Sequence, residues 1–161
     1  RHDELMPSMS ALIITKHVKD GVELAKKHKL PTSIINFISQ HHGTSLIYFF
    51  YQRALEKVKD ESLLKEEDFR YHGPKPQTKE AAVVLLADSV EASSRTLSNP
   101  TPARLQMMTQ RIINNKFIDG QLDECDLSLN ELNKIAAAFT RILTGIFHSR
   151  VEYPAVSSSS A

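Results

Sequence analysis

Cysteine is nearly missing from this chain: Cys125 is the only one among 161 residues. An intrachain disulfide is excluded, and a reducing compartment is expected. Cys125 stands among Asp123, Glu124 and Asp126, whose charges disfavour a thiolate, so it reads as a bystander. An excess of one charge is lacking too. Lys and Arg number 20 against 19 Asp and Glu, a net charge of +1. General nucleic-acid or membrane-surface binders carry a strong basic excess, so neither role is expected. Any anionic ligand must be held by local charges. Long apolar runs are absent. The longest, 46–51 and 81–87, are too short to span a bilayer. The chain opens Arg1-His2-Asp3-Glu4, with no initiator Met and no signal-peptide core, and is expected to be a piece of something larger. Internal repeats and alternating strand patterns are lacking as well.

What is present is helical periodicity in a globular composition, 41% apolar and 24% charged. The length suits one domain. Ala11, Ile14, Val18, Val22 and Ala25 step along one helix face. Gly21 weakens that helix by about 1 kcal/mol relative to Ala, so a break near 15–17 is allowed. Leu30-Pro31 opens a second helix through Ile34, Ile35 and Ile38, which ends near Gly43. An aromatic helix is predicted over about 45–59, then a loop over 64–77 punctuated by Gly73-Pro74 and Pro76. Thr78 caps a helix to about Leu97, and Thr101-Pro102 opens another to about Phe117. Ser128 with Glu131 forms a capping box. It starts a last helix whose stripe runs through Leu132, Ile135, Ala136, Phe139, Ile142, Leu143, Ile146 and Phe147. An all-α domain of six or seven helices is expected.

Three sets of residues carry candidate chemistry. His41-His42 close the second helix. Adjacent helical side chains diverge by about 100°, yet at a helix end both rings can face one cavity, and each can ligate a metal ion. The ordinary alternative is a helix C-terminus that favours cationic groups. His17 lies one step off the apolar stripe, beside Ile13 and Leu24, as a ligand or a rim histidine. Asp88 follows seven apolar residues, 81–87, on a helix expected to be buried nearly all round. A carboxylate so placed is costly unless paired or metal-bound. Its partner is a metal, Arg95 or a backbone amide. Glu91, one turn on, reads as solvent-facing. The loop 69–79 mixes Arg70, Lys75 and Lys79 with aromatics and prolines and leads into a helix N-terminus that attracts anions. Those three cations are candidate contacts for a phosphate or base, against the reading of an ordinary solvated loop.

Together these pieces resemble the HD-domain superfamily. The run His17-Val18-Lys19-Asp20-Gly21, the Leu30-Pro31 turn, Ile34, Ile38 and the pair His41-His42 are similar to that family's ligand pattern. Ala87-Asp88-Ser89-Val90-Glu91-Ala92 resembles its final ligand-Asp segment. The stretches 10–21, 40–46, 73–95, 119–127 and 143–154 are similar to the intracellular domain of seven-transmembrane HD receptors, the PgpH-type cyclic di-AMP phosphodiesterases. The resemblance implies an HD-domain helical bundle, with this chain its C-terminal part: a partial domain at 1–154 and a flexible tail at 155–161. It implies His17, His41, His42 and Asp88 as ligands of two divalent ions, commonly iron or manganese. Imidazole and carboxylate suit both metals. The implied reaction is hydrolysis of cyclic di-AMP to linear pApA, in the cytoplasmic domain of a membrane-anchored parent. Oligomerisation stays open.

The family pattern also has an upstream His and a His-Asp dipeptide. His2-Asp3 sits just before Pro7, whereas the family's dipeptide lies further upstream, so it is not carried over. With part of the ligand set missing, weak metal binding and little catalysis are expected of the chain alone. A second reading is a non-catalytic helical module for ligand sensing or protein interaction. Retained metal and hydrolysis after His42→Ala and Asp88→Ala in the parent would favour that module.

Overall fold

A computed structural model describes residues 7–58 and 64–148. They form six α-helices and one 3-10 turn: α1 (Pro7–Lys27), α2 (Thr32–Gln40), α3 (Tyr48–Leu55), the turn Glu66–Phe69, α4 (Lys79–Ser94), α5 (Pro102–Ile118) and α6 (Leu129–His148). Among the described residues the only sheet-like pairing is one antiparallel bridge, Leu46 with Arg70. His2-Asp3 and the tail 155–161 lie outside the described residues.

Local capping chemistry set several helix starts. The Thr78 hydroxyl accepts from Ala81 N at 3.2 Å, and Thr101 Oγ1 from Arg104 N at 3.3 Å. Glu131 accepts from Ser128 N at 2.8 Å, while its own N–H reaches Ser128 Oγ at 3.2 Å, a reciprocal box at the head of α6.

Helix α1 runs unbroken, contrary to the break allowed near 15–17. Gly21 has a packing role instead. A Cβ there would stand 2.9 Å from Ile38 Cγ2, so its absence lets α2 close onto α1. The aromatic helix also starts later than predicted, at Tyr48. Residues 45–47 are taken by pairing: Ile47 N donates to Phe69 O at 2.8 Å, and Tyr71 N to Ser45 O at 3.0 Å.

The core has three buried clusters, the third formed by Val90, Leu105, Met108 and Leu143. Leu85, Leu86, Ile113, Leu122 and Leu132 join α4, α5 and α6. Ala11, Phe50, Ala54 and Phe69 join α1, α3 and the 3-10 turn. Burying Phe69 to 1% exposure contributes about 1.5–3 kcal/mol, which anchors the following loop. Helix α2 packs on both α1 and α4. Gln40, 5% exposed, accepts from Gln77 N at 2.9 Å and ties the two halves together. On α6 the expected stripe is narrower than predicted. Leu132, Ala136 and Leu143 are buried, but Ile142 and Ile146 are exposed, because α4 and α5 cover only one side of the helix.

Candidate metal centre

Helix α1 carries His17, while His41 caps the C-terminal end of α2 and His42 follows it in the turn. The close α1–α2 contact at Gly21 sets these ends against each other. His17 Nε2 lies 3.3 Å from His41 Nε2 and 3.2 Å from His42 Nε2. Among the described residues these three form the only group of three or more His, Cys, Asp or Glu side chains able to share an ion.

The opposite nitrogens explain how the rings are set. His17 Nδ1 donates to Ile14 O at 2.5 Å, and His41 Nδ1 to Ile38 O at 2.7 Å. His42 Nδ1 faces Asp88 Oδ2 at 3.3 Å. A neutral imidazole whose Nδ1 bears the proton presents a lone pair at Nε2. Two Nε2–Nε2 separations of 3.2–3.3 Å, both to His17, bring the three ring nitrogens close enough to share one cation. Nitrogen ligands about 2.0–2.1 Å from a tetrahedral ion are about 3.3 Å apart. The donor set fits a divalent cation, and the backbone acceptors behind His17 and His41 are a usual support of metal-bound histidines. Burial, then neighbouring His41 and His17, then Lys116, holds the pKa of His42 down to about 3. At physiological pH its ring is neutral, the ligating form.

Asp88 corrects one expectation. It is not buried: its side chain is 44% exposed, and Val84 on the same helix is also exposed. Helix α4 buries Ala82, Leu85, Leu86 and Val90 but opens a face toward the histidines. Asp88 therefore meets His42 rather than a core. Glu91 bonds Arg95 at the surface, as its solvent-facing reading requires.

The three candidate phosphate contacts all hold carboxylates. Arg70 Nη2 donates to Asp119 Oδ1 at 2.7 Å and Nη1 to Asp119 Oδ2 at 3.2 Å, with Nε on Glu66 at 2.8 Å and Nη1 also on Thr44 O at 2.9 Å. The Asp119 bond raises the guanidinium pKa further. Lys75 faces Asp123 at 3.8 Å, and Lys79 meets Glu131 at 2.6 Å.

Residues not singled out by sequence complete the surroundings. Tyr71 stacks on His42, ring centroids 4.2 Å apart and planes 24° from parallel. Burial, then the Asp88 charge, pushes its phenol up to about 12. Lys116, largely enclosed, donates to Ser45 Oγ at 2.6 Å. The aromatic content of the 69–79 loop was the one available hint to Tyr71. Lys116 had none, because its partner is 71 positions away. A cavity of about 390 Å³ lies beside His42, lined by Val18, Val22, Ser39 and Tyr71. Cys125 stands apart from the centre, its thiol pushed up by burial.

The chain is 48% identical over 153 residues to the cyclic-di-AMP phosphodiesterase PgpH of Bacillus subtilis, and 44% identical to that of Listeria monocytogenes. Each alignment covers 95% of this chain, which spans about a fifth (21%) of those relatives. The crystal structure of the L. monocytogenes PgpH HD domain in complex with cyclic-di-AMP superposes with a TM-score of 0.86 at 44% identity, covering 94% of this chain and 70% of that one. A second structure of that domain gives 0.84, over 91% and 67%. Residues 2–93 match the HD domain family, and on these grounds the chain belongs to it.

Proposed function

We propose that this chain is part of a metal-dependent phosphodiesterase that hydrolyses cyclic di-AMP to linear pApA. The convergence of His17, His41 and His42 through their Nε2 atoms carries this reading. Water would add across one P–O bond of the cyclic dinucleotide and leave a terminal phosphate and a hydroxyl. Two divalent ions, iron or manganese, would supply charge stabilisation at the phosphate oxygens and a more acidic water. The chain's own part is to hold and orient. Ile14 O and Ile38 O fix the rings of His17 and His41, and Asp88 faces His42 from its Nδ1 side; to serve as a fourth ligand its exposed carboxylate would have to turn toward the Nε2 atoms. Tyr71 covers one face of His42 against water.

A two-ion centre needs more donors than these. We propose that residues 1–154 form part of an HD domain whose remaining ligands lie outside this chain, in the cytoplasmic part of a membrane-anchored protein. Among the described residues no helix is long and apolar enough to cross a membrane. Arg70, Lys75 and Lys79 would have to exchange their carboxylate partners to hold a substrate phosphate.

The deciding experiment assays the intact protein against cyclic di-AMP, cyclic di-GMP and guanosine tetraphosphate. Release of pApA, abolished by His42→Ala, supports the reading. Turnover of another substrate with no pApA withdraws it. Hydrolysis and metal content both untouched by His42→Ala and Asp88→Ala would favour a non-catalytic helical module.

A further inference from the structure

His17 and His41 each have a short backbone acceptor on Nδ1, at 2.5 and 2.7 Å. His42 does not. Its Nδ1 contact to Asp88 is 3.3 Å, beyond the usual range for such a bond, and Asp88 is half exposed. Something else must hold the third ring. Two rings lie against it: His41, itself a candidate ligand, at 3.9 Å and 39°, and Tyr71, which has no ligand role, at 4.2 Å and 24° from parallel.

Tyr71 is itself rigidly placed. Its N–H donates to Ser45 O at 3.0 Å, and Ser45 N donates to His42 O at 3.1 Å. Ser45 is thus the hinge between the backbone that carries His42 and the loop that carries the stacked ring. It is 3% exposed, and Lys116 grips its hydroxyl from α5 at 2.6 Å. One residue before Tyr71, Arg70 is bridged to Leu46 and held by Asp119. The loop has little freedom to withdraw the phenol ring.

We propose that Tyr71 is a positioning residue of the metal centre: its ring face, anchored through Ser45 and Lys116, keeps the His42 imidazole in the plane that aims Nε2 at His17. The role belongs to the ring and not to the hydroxyl. It is the aromatic counterpart of the carbonyl oxygens behind His17 and His41. This inference rests on the metal-centre reading above.

The test uses the intact protein, stripped of metal and titrated with Mn2+ while binding is followed by electron paramagnetic resonance. Tyr71→Phe keeps the ring and is expected to bind within about twofold of wild type. Tyr71→Leu loses the aromatic face, and an affinity loss of about tenfold is expected, the lower end for removing support from a metal-bound histidine. For cyclic di-AMP hydrolysis its kcat should fall while KM stays. In a His42→Ala background, Tyr71→Leu should have no further effect on Mn2+, because the ring it positions is gone. A general folding role predicts the same loss in both backgrounds and would overturn the proposal. So would wild-type affinity in Tyr71→Leu, or a Tyr71→Phe as weak as Tyr71→Leu. If Tyr71→Leu does not fold, Ser45→Ala removes the Lys116 anchor while leaving the ring and both backbone bonds in place. A loss of threefold or more then supports the proposal, and no loss overturns it. Wild-type protein that takes up no ion overturns the metal-centre reading itself, an outcome distinct from wild type binding as tightly as its Tyr71 variants.

Discussion

His17 and His42 stand 25 residues apart in the chain, yet their Nε2 atoms lie 3.2 Å from each other. The contact joins α1 to the turn after α2, so it exists only while those helices are packed. Metal affinity and helix packing are therefore coupled.

The first prediction concerns the ligands. In the intact protein, replacing His17, His41 or His42 by Ala should each weaken divalent-ion binding at least tenfold. Removing a ligand should cost no less than removing its supporting acceptor, for which 10–100-fold is typical. Isothermal titration of metal-stripped protein measures this. The chain by itself should bind iron or manganese weakly. A stoichiometric, tightly held ion in residues 1–161 alone would sink the idea that ligands are missing.

Gly21→Ala tests the packing of α1 on α2. Helix propensity alone favours Ala by about 1 kcal/mol. The new Cβ would stand 2.9 Å from Ile38 Cγ2, and such overpacking costs about 1–3 kcal/mol. The steric cost is expected to win, lowering the unfolding midpoint in urea. Adding Ile38→Ala should make Gly21→Ala less harmful than it is alone. Equal costs in both backgrounds would show that the contact is not the cause.

Arg70 and Asp119 form a bidentate, partly enclosed pair that pins the loop bearing Tyr71. Asp119→Asn should lower stability by about 1.5–3 kcal/mol, the range for hydrogen bonds to charged groups. Arg70→Lys should not rescue the pair, because an ammonium lacks the planar fork. Chemical denaturation measures both. A separate triple variant with Arg70, Lys75 and Lys79 all changed to Ala checks the phosphate-contact role. An unchanged KM for cyclic di-AMP would dismiss it.

Acid stability should depend on Glu131. Its bond to Lys79, then those to Ser128, hold its carboxyl down to about 2. The folded value lies below the unfolded one, about 4.3. The contribution is therefore fully present above that unfolded value and is lost as pH falls toward 2. Glu131→Gln should flatten the dependence of the urea midpoint on pH across this window. An unchanged slope would argue against the pair.

Much of the helical plan was legible because capping is local. Thr78, Thr101 and the Ser128–Glu131 box act over three residues, so the residue types suffice to place those starts. The late start of α3 was not legible, because Ser45 and Ile47 bond to residues 69 and 71, beyond any local pattern. The exposure of Asp88 was missed for a related reason. Seven apolar residues preceding it imply burial, but which face of α4 stays open depends on where α2 and α5 pack.

For this protein the sequence by itself determined the helical class and the caps, since each is a property of residue type and short spacing, while the three histidines were singled out by family resemblance. Only the tertiary structure decided that their Nε2 atoms meet, that Asp88 stands behind His42, and that Tyr71 covers it. Those relations depend on helix crossing distances and on hydrogen bonds spanning tens of residues, such as Lys116 to Ser45.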